Sequence, residues 1–184
     1  AERSLPVTPG TMFALGSLSK SLTATGLARL VDRGQIAWDG RVVDYIPDFR
    51  LMDVNGTAAL TVRHLLTHTS GLPRHDALWY MDAYTRPELV ARLRHLAPFG
   101  PPGTDFAYSN LMVAVAGTVA ERVTGLTWDE FIRSEVLGPA GLQSVRNRLS
   151  DFLAAPDRAL GYFPTPTRRV PQPIRDTDPV APAA

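Results

Sequence analysis

The sequence predicts a mainly helical chain folded around one hydrophobic core. Four stretches carry apolar residues at three- and four-residue steps with stop or capping signals at their ends. Convincing alternating strands are scarce, and the longest apolar run, residues 111–120, lies inside one of the helical stretches. At 184 residues the chain has room for one domain with a sizeable core, and 45% hydrophobic with 20% charged residues is a globular balance.

The first helix is expected over residues 17–33, where Leu18, Leu22, Leu27, Leu30 and Val31 share a face and Gly34 follows as a stop. Residues 41–46, with some β-like residues beside a turn at Asp39-Gly40, are the stretch with the most strand character. Thr61 can cap a short helix containing Leu65 and Leu66, closed by Gly71 and Pro73. Thr85 with Glu88 three residues on forms a capping box, Pro87 fits the first turn, and the helix runs to about Pro98. Residues 110–123 are apolar almost all round and stop at Gly125, the pattern of a helix buried on most sides. Thr127 and Glu130 cap a short helix to about Leu137. Seven of the sixteen prolines fall in residues 156–184, which are expected as an extended loop rather than an independent domain.

Composition excludes several kinds of function. Nineteen basic and eighteen acidic side chains leave a charge of +1, too little field to hold a polyanion, so no nucleic acid is expected. Without cysteine there is no disulfide framework, thiolate metal site or cysteine nucleophile. The longest apolar run is too short for a membrane span, which needs about 20 residues. No leader pattern stands before Ala1, so localisation is not readable from the chain. No cofactor is implied.

Three segments can carry chemistry. In Ser17-Leu18-Ser19-Lys20 a serine and a lysine stand three residues apart at a helix start, on one face, so the amine reaches the hydroxyl. Lys20 is the only lysine beside eighteen arginines, and a lysine can act as a base where arginine cannot. Half-neutralising an ordinary amine near pH 7 takes about 4 kcal/mol, which burial and a helix N-terminus can supply. Taken alone, the tetrapeptide also describes a capped helix with a solvated lysine, the commoner case. Tyr108-Ser109-Asn110 offers a phenol that can relay a proton beside a lysine, and an amide that both donates and accepts; alone, it also reads as Asn110 capping a helix with Tyr108 packed on Phe106. His64 and His68 are four apart as in a zinc helix, but Leu65 stands where the glutamate base belongs and no third ligand is evident, so no metal is expected. His68, Thr69 and Ser70 read better as side chains bonding the backbone of a tight turn that ends at Gly71.

Together, Phe13-Ala14-Leu15-Gly16-Ser17-Leu18-Ser19-Lys20, residues 60–73 (Leu60-Thr61-Val62-Arg63-His64 through Ser70-Gly71-Leu72-Pro73) and Pro102-Gly103-Thr104-Asp105-Phe106-Ala107-Tyr108-Ser109-Asn110 resemble the serine β-lactamase-related family, which includes class C β-lactamases, D-alanyl-D-alanine carboxypeptidases and β-lactamase-like esterases. The resemblance runs from about Phe13 to Tyr162 and implies an α/β (α+β) fold of the β-lactamase and transpeptidase type, of which residues 1–155 would be mainly the helical region. It implies Ser17 as an acylated nucleophile, Lys20 as its proton acceptor, Tyr108 as partner in proton transfer and Asn110 as the group that orients Lys20 or a substrate amide. The implied reaction hydrolyses an ester or amide through an acyl-enzyme: a β-lactam, a D-Ala-D-Ala peptide or a short-chain ester. The family's third motif, Lys-Thr-Gly or His-x-Gly on a strand that also supplies an oxyanion N–H, does not follow Asn110, for Val123-Thr124-Gly125 has valine where the cation belongs. A partial domain is therefore expected, lacking the N-terminal strands and the C-terminal sheet; the alternative is a non-catalytic relative that binds a peptide or another partner. The resemblance alone leans toward an extracytoplasmic place, and oligomeric state is not readable.

Overall fold

A computed structural model describes residues 6–81 and 84–184. Gly16–Leu18 forms one 3-10 turn that runs directly into α1 (Ser19–Asp32), and Gly34, at φ 68°, takes the chain out of the helix. There follow α2 (Val42–Tyr45), α3 (Val54–Ala59), α4 (Val62–Leu66), α5 (Ala77–Tyr80) and α6 (Arg86–Arg92). The long α7 (Asn110–Thr124) precedes α8 (Trp128–Ile132), a single π turn (Arg133–Leu137) and α9 (Leu149–Ala154). The sheet among the described residues is an antiparallel pair, β1 (Tyr162–Pro164) and β2 (Arg169–Pro171), with Phe163 opposite Val170.

Helix α7 is the axis of the core because its sequence offers no polar face along most of its length. Leu111, Met112, Val113, Ala114, Val115, Ala116, Val119 and Ala120 are all buried, and α1, α4, α6 and α8 pack around them. Ser109 caps it by accepting the Met112 N–H at 3.3 Å, so Asn110 is the first helical residue and its side chain is released from capping. Close approach of α1 to α8 depends on Gly26, where a Cβ would stand 2.6 Å from Phe131 Cε1.

Two expectations are corrected. Residues 41–46 do not form a strand: Arg41 makes one isolated bridge to Thr61, and Val42–Tyr45 winds into a helical turn. Val42 and Ile46 are both buried while Asp44 between them is exposed; a strand would put all three on one face, whereas a helical turn carries Asp44 outward, so burial overrides the β preference of the valines. Residues 156–184 are more than an extended loop. Besides the hairpin, Met12 bridges to Arg158, and a 3-10 turn at Asp178–Val180 drives Val180 and Ala183 to full burial. Proline prevents a long helix here but not burial, and Gly117 on α7 leaves the space that Pro182 fills; any Cβ at Gly117 would collide with Pro182.

Candidate active site

Three separate elements converge on Lys20. It lies in the first turn of α1, half-buried, and Nζ donates to Ser17 Oγ at 3.0 Å, to Asn110 Oδ1 at 2.7 Å and to the Ala183 carbonyl at 2.5 Å. Ser17 sits in the 3-10 turn just before α1 rather than within it, and the three-residue spacing still brings hydroxyl and amine together. Ser17 Oγ also lies 2.5 Å from Tyr108 Oη, where either oxygen can donate. All four residues expected from the sequence therefore meet: Ser17 open to solvent, Lys20 and Tyr108 half-buried, and Asn110 buried at the head of α7.

Electrostatics favour a reactive phenol. Burial pushes Tyr108 up, but hydrogen bonding with Lys20 and Ser17 and the charges of Lys20 and Arg74 outweigh it, so the phenol titrates below its ordinary range. Lys20 Nζ lies 4.6 Å from the centre of the Tyr108 ring and the Arg74 guanidinium 5.2 Å from it. Phe106, by contrast, is 70% exposed, so Tyr108 is not buried against it as a core pair.

The orientation of the Asn110 amide follows from Asp76. A carboxylate only accepts, so Asn110 Nδ2 must face Asp76 Oδ1, at 3.3 Å, and Oδ1 is left to face the amine. The indole of Trp79 donates to the same carboxylate oxygen at 3.0 Å, and Arg74 pairs with the other. The histidines go elsewhere. His64 Nδ1 accepts the Thr61 N–H at 3.2 Å within the cap of α4, and His68 Nδ1 accepts the Ser109 N–H at 3.2 Å. No group of three or more histidine, aspartate or glutamate side chains converges as a metal site among the described residues.

The family model described as Beta-lactamase matches residues 1–184. The chain belongs to the beta-lactamase family. Within that family it is 35% identical over 157 residues to esterase EstB of Burkholderia gladioli, an alignment covering 77% of this chain and 40% of the esterase. It is 31% identical over 185 residues to the unguisins hydrolase ungD' of Aspergillus campestris, covering 90% of this chain and 35% of that protein. The octameric penicillin-binding protein homologue from Pyrococcus abyssi superposes with a TM-score of 0.79 at 31% identity, over 94% of this chain and 41% of that one. The chain thus spans well under half the length of these relatives, and its helices correspond to the helical part of their fold. No helix among the described residues is long and apolar enough to cross a membrane.

Two parts of this candidate site are poorly marked in the sequence. Asp76 carries a usable signal, an acidic residue just before the apolar turn Ala77–Tyr80, though that signal speaks of a helix start and not of Asn110. The Ala183 carbonyl carries none, because it is a backbone atom 163 residues from the lysine it binds.

Proposed function

We propose that this chain supplies the nucleophile and proton-transfer groups of a serine hydrolase that cleaves an ester or amide through an acyl-enzyme on Ser17. The observation that carries the reading is that Ser17 Oγ stands at once 3.0 Å from Lys20 Nζ and 2.5 Å from Tyr108 Oη. Ser17 Oγ attacks the substrate carbonyl carbon, and its proton passes to Lys20 with Tyr108 as relay. The tetrahedral intermediate expels the alcohol or amine, which takes that proton, and water then releases the acid from the acyl-serine by the same route in reverse. The Ser17 N–H, in the turn leading into α1, stands where the helix dipole favours negative charge on the carbonyl oxygen. Asn110 orients Lys20 or a substrate amide. β-Lactams, D-Ala-D-Ala peptides and short-chain esters all suit this nucleophile, and the names of the esterase and hydrolase relatives support hydrolysis over mere binding.

A fluorophosphonate tests the proposal. Attack forms an Oγ–phosphorus bond as fluoride leaves, and mass spectrometry of the whole protein is expected to find the adduct on Ser17 and none in Ser17→Ala. A folded protein that takes neither this probe nor a labelled penicillin would overturn the reading.

One observation favours a variant of the mechanism. Ser17 Oγ stands 2.5 Å from Tyr108 Oη against 3.0 Å from Lys20 Nζ, so its proton can pass directly to the phenol oxygen while a charged Lys20 donates to the oxygens around it. In that variant Tyr108 itself is the base and Lys20 holds it as phenolate. In either form Tyr108→Phe is expected to slow labelling of Ser17 by about 10²–10⁴-fold. With Tyr108 as base, labelling also rises with pH as the phenol ionises, at a pH below the ordinary phenol range because its titration is lowered. A rate profile without that rise would remove the phenolate variant.

A further inference from the structure

His68 touches this site closely, yet acyl transfer as described uses none of its atoms. Its backbone is in the left-handed region, with φ 60°. A residue with a Cβ holds that conformation only where its surroundings over-determine it, and such strain collects at working sites. The surroundings here are residues 106–109. The His68 carbonyl accepts the Ala107 N–H at 2.8 Å, and Nδ1 accepts the Ser109 N–H at 3.2 Å, so the residues on both sides of Tyr108 are tied to one residue. Between these two bonds the imidazole lies 4.5 Å from the Tyr108 ring, tilted by 40°, and its other contact is the Phe106 ring, edge-on at 5.8 Å. The neighbouring bonds extend the same clamp: Gly103 N–H to the Thr69 carbonyl at 2.7 Å, and Phe99 N–H to the Gly71 carbonyl at 2.9 Å.

We infer that His68 is the positioning residue for Tyr108: its carbonyl, its Nδ1 lone pair and its ring together hold the phenol against Ser17 Oγ, and the hold requires a neutral imidazole. The inference rests on the acyl-transfer reading for what Tyr108 does. Protonation of Nδ1 would convert the acceptor of the Ser109 N–H into a donor, so that two N–H groups would face each other. The groups facing the imidazole are the Tyr108 ring and the charge of Lys20 on α1, with Arg74 near the same tyrosine. Burial, with a further push from Lys20, keeps His68 below its ordinary range, so the neutral form prevails at neutral pH and the clamp loosens only in acid.

The variants follow from the two jobs of the side chain. Asparagine tolerates the left-handed region and carries Oδ1 in the place of Nδ1, but does not titrate; alanine keeps neither property. On the whole protein, His68→Ala is expected to slow fluorophosphonate labelling of Ser17 at least tenfold at pH 8, and His68→Asn to restore most of the rate. Wild-type labelling is expected to fall in acid more steeply than protonation of the base alone gives, and His68→Asn to lose that extra steepness. Equal rates and equal pH profiles in wild type and His68→Ala overturn the inference while leaving Ser17 as nucleophile. If the wild type takes no probe, acyl transfer falls, and the clamp is still read from the ζ-carbon resonance of Tyr108. His68→Ala is expected to move that phenol titration up toward its ordinary range, and His68→Asn to leave it in place; an unmoved titration in His68→Ala overturns the clamp.

Discussion

Lys20→Arg is expected to abolish acylation of Ser17, a loss of about 10³-fold or more in probe labelling, while the protein keeps its fold. Arginine retains the charge and can still donate to Asn110 Oδ1 and the Ala183 carbonyl, but it does not release a proton at any working pH. Lys20→Arg thus keeps a cation beside Tyr108 while removing the one group there that can lose a proton and take that of Ser17. A planar guanidinium is also wider than the ammonium that three acceptors now enclose, so thermal unfolding must be measured beside labelling to separate a lost base from a lost fold. Labelling retained within tenfold of wild type would show that Lys20 is not the proton acceptor, and would pass that role to Tyr108. Lys20→Arg, read with the pH profile of wild-type labelling, therefore decides which of the two takes the proton.

Gly71→Ala is expected to be the most destabilising single-methyl change in the site region. Gly71 has φ 80°, and a Cβ there would run into the carbonyl oxygen of Gly100, a backbone atom that cannot swing aside. The left-handed backbone costs roughly 1–2 kcal/mol for an L-residue and the overpacking roughly 1–3 kcal/mol more. For a chain of this size that lowers the melting temperature by roughly 5–15 °C. Gly125→Ala is the control, since Gly125 has φ 73° but open space around its would-be Cβ, so it carries the strain without the collision. Because Gly71 ends the turn whose carbonyls hold Phe99, Gly103 and Ala107, Gly71→Ala is also expected to slow Ser17 labelling, and Gly125→Ala is not. Equal melting temperatures for the two variants would refute the account of the 68–71 turn.

Much of the fold was legible because it is written in local chemistry. The Thr61 cap and the Thr85 and Thr127 boxes sit at the heads of α4, α6 and α8, with the Thr85 and Thr127 N–H groups bonded to Glu88 and Glu130 at 2.8 and 2.9 Å. The all-apolar stretch after Asn110 became the central helix for the same reason that it read as one. The errors arose where burial at a distance overrode local preference. Val42 and Val43 favour a strand by propensity, yet a strand would hold exposed Asp44 on the face of buried Val42 and Ile46, and a helical turn carries it out to solvent. Proline-rich residues 178–184 read as loop, yet their small side chains fill the gap that Gly117 leaves beside α7.

By itself the sequence determined which chemistry is available. One lysine stands a helical turn from a serine, and a tyrosine and an asparagine stand two residues apart ahead of a buried helix; helical spacing puts Lys20 within reach of Ser17 from position alone. Only the tertiary structure decided that Tyr108 and Asn110, 88 or more residues later, reach that pair, that Asp76 turns the Asn110 amide toward the amine, and that the Ala183 carbonyl closes the ring of acceptors. The physical reason is that a contact between distant segments depends on how α1, α7 and the turn at 68–71 pack against one another, and packing is a property of the whole core rather than of any one stretch of chain.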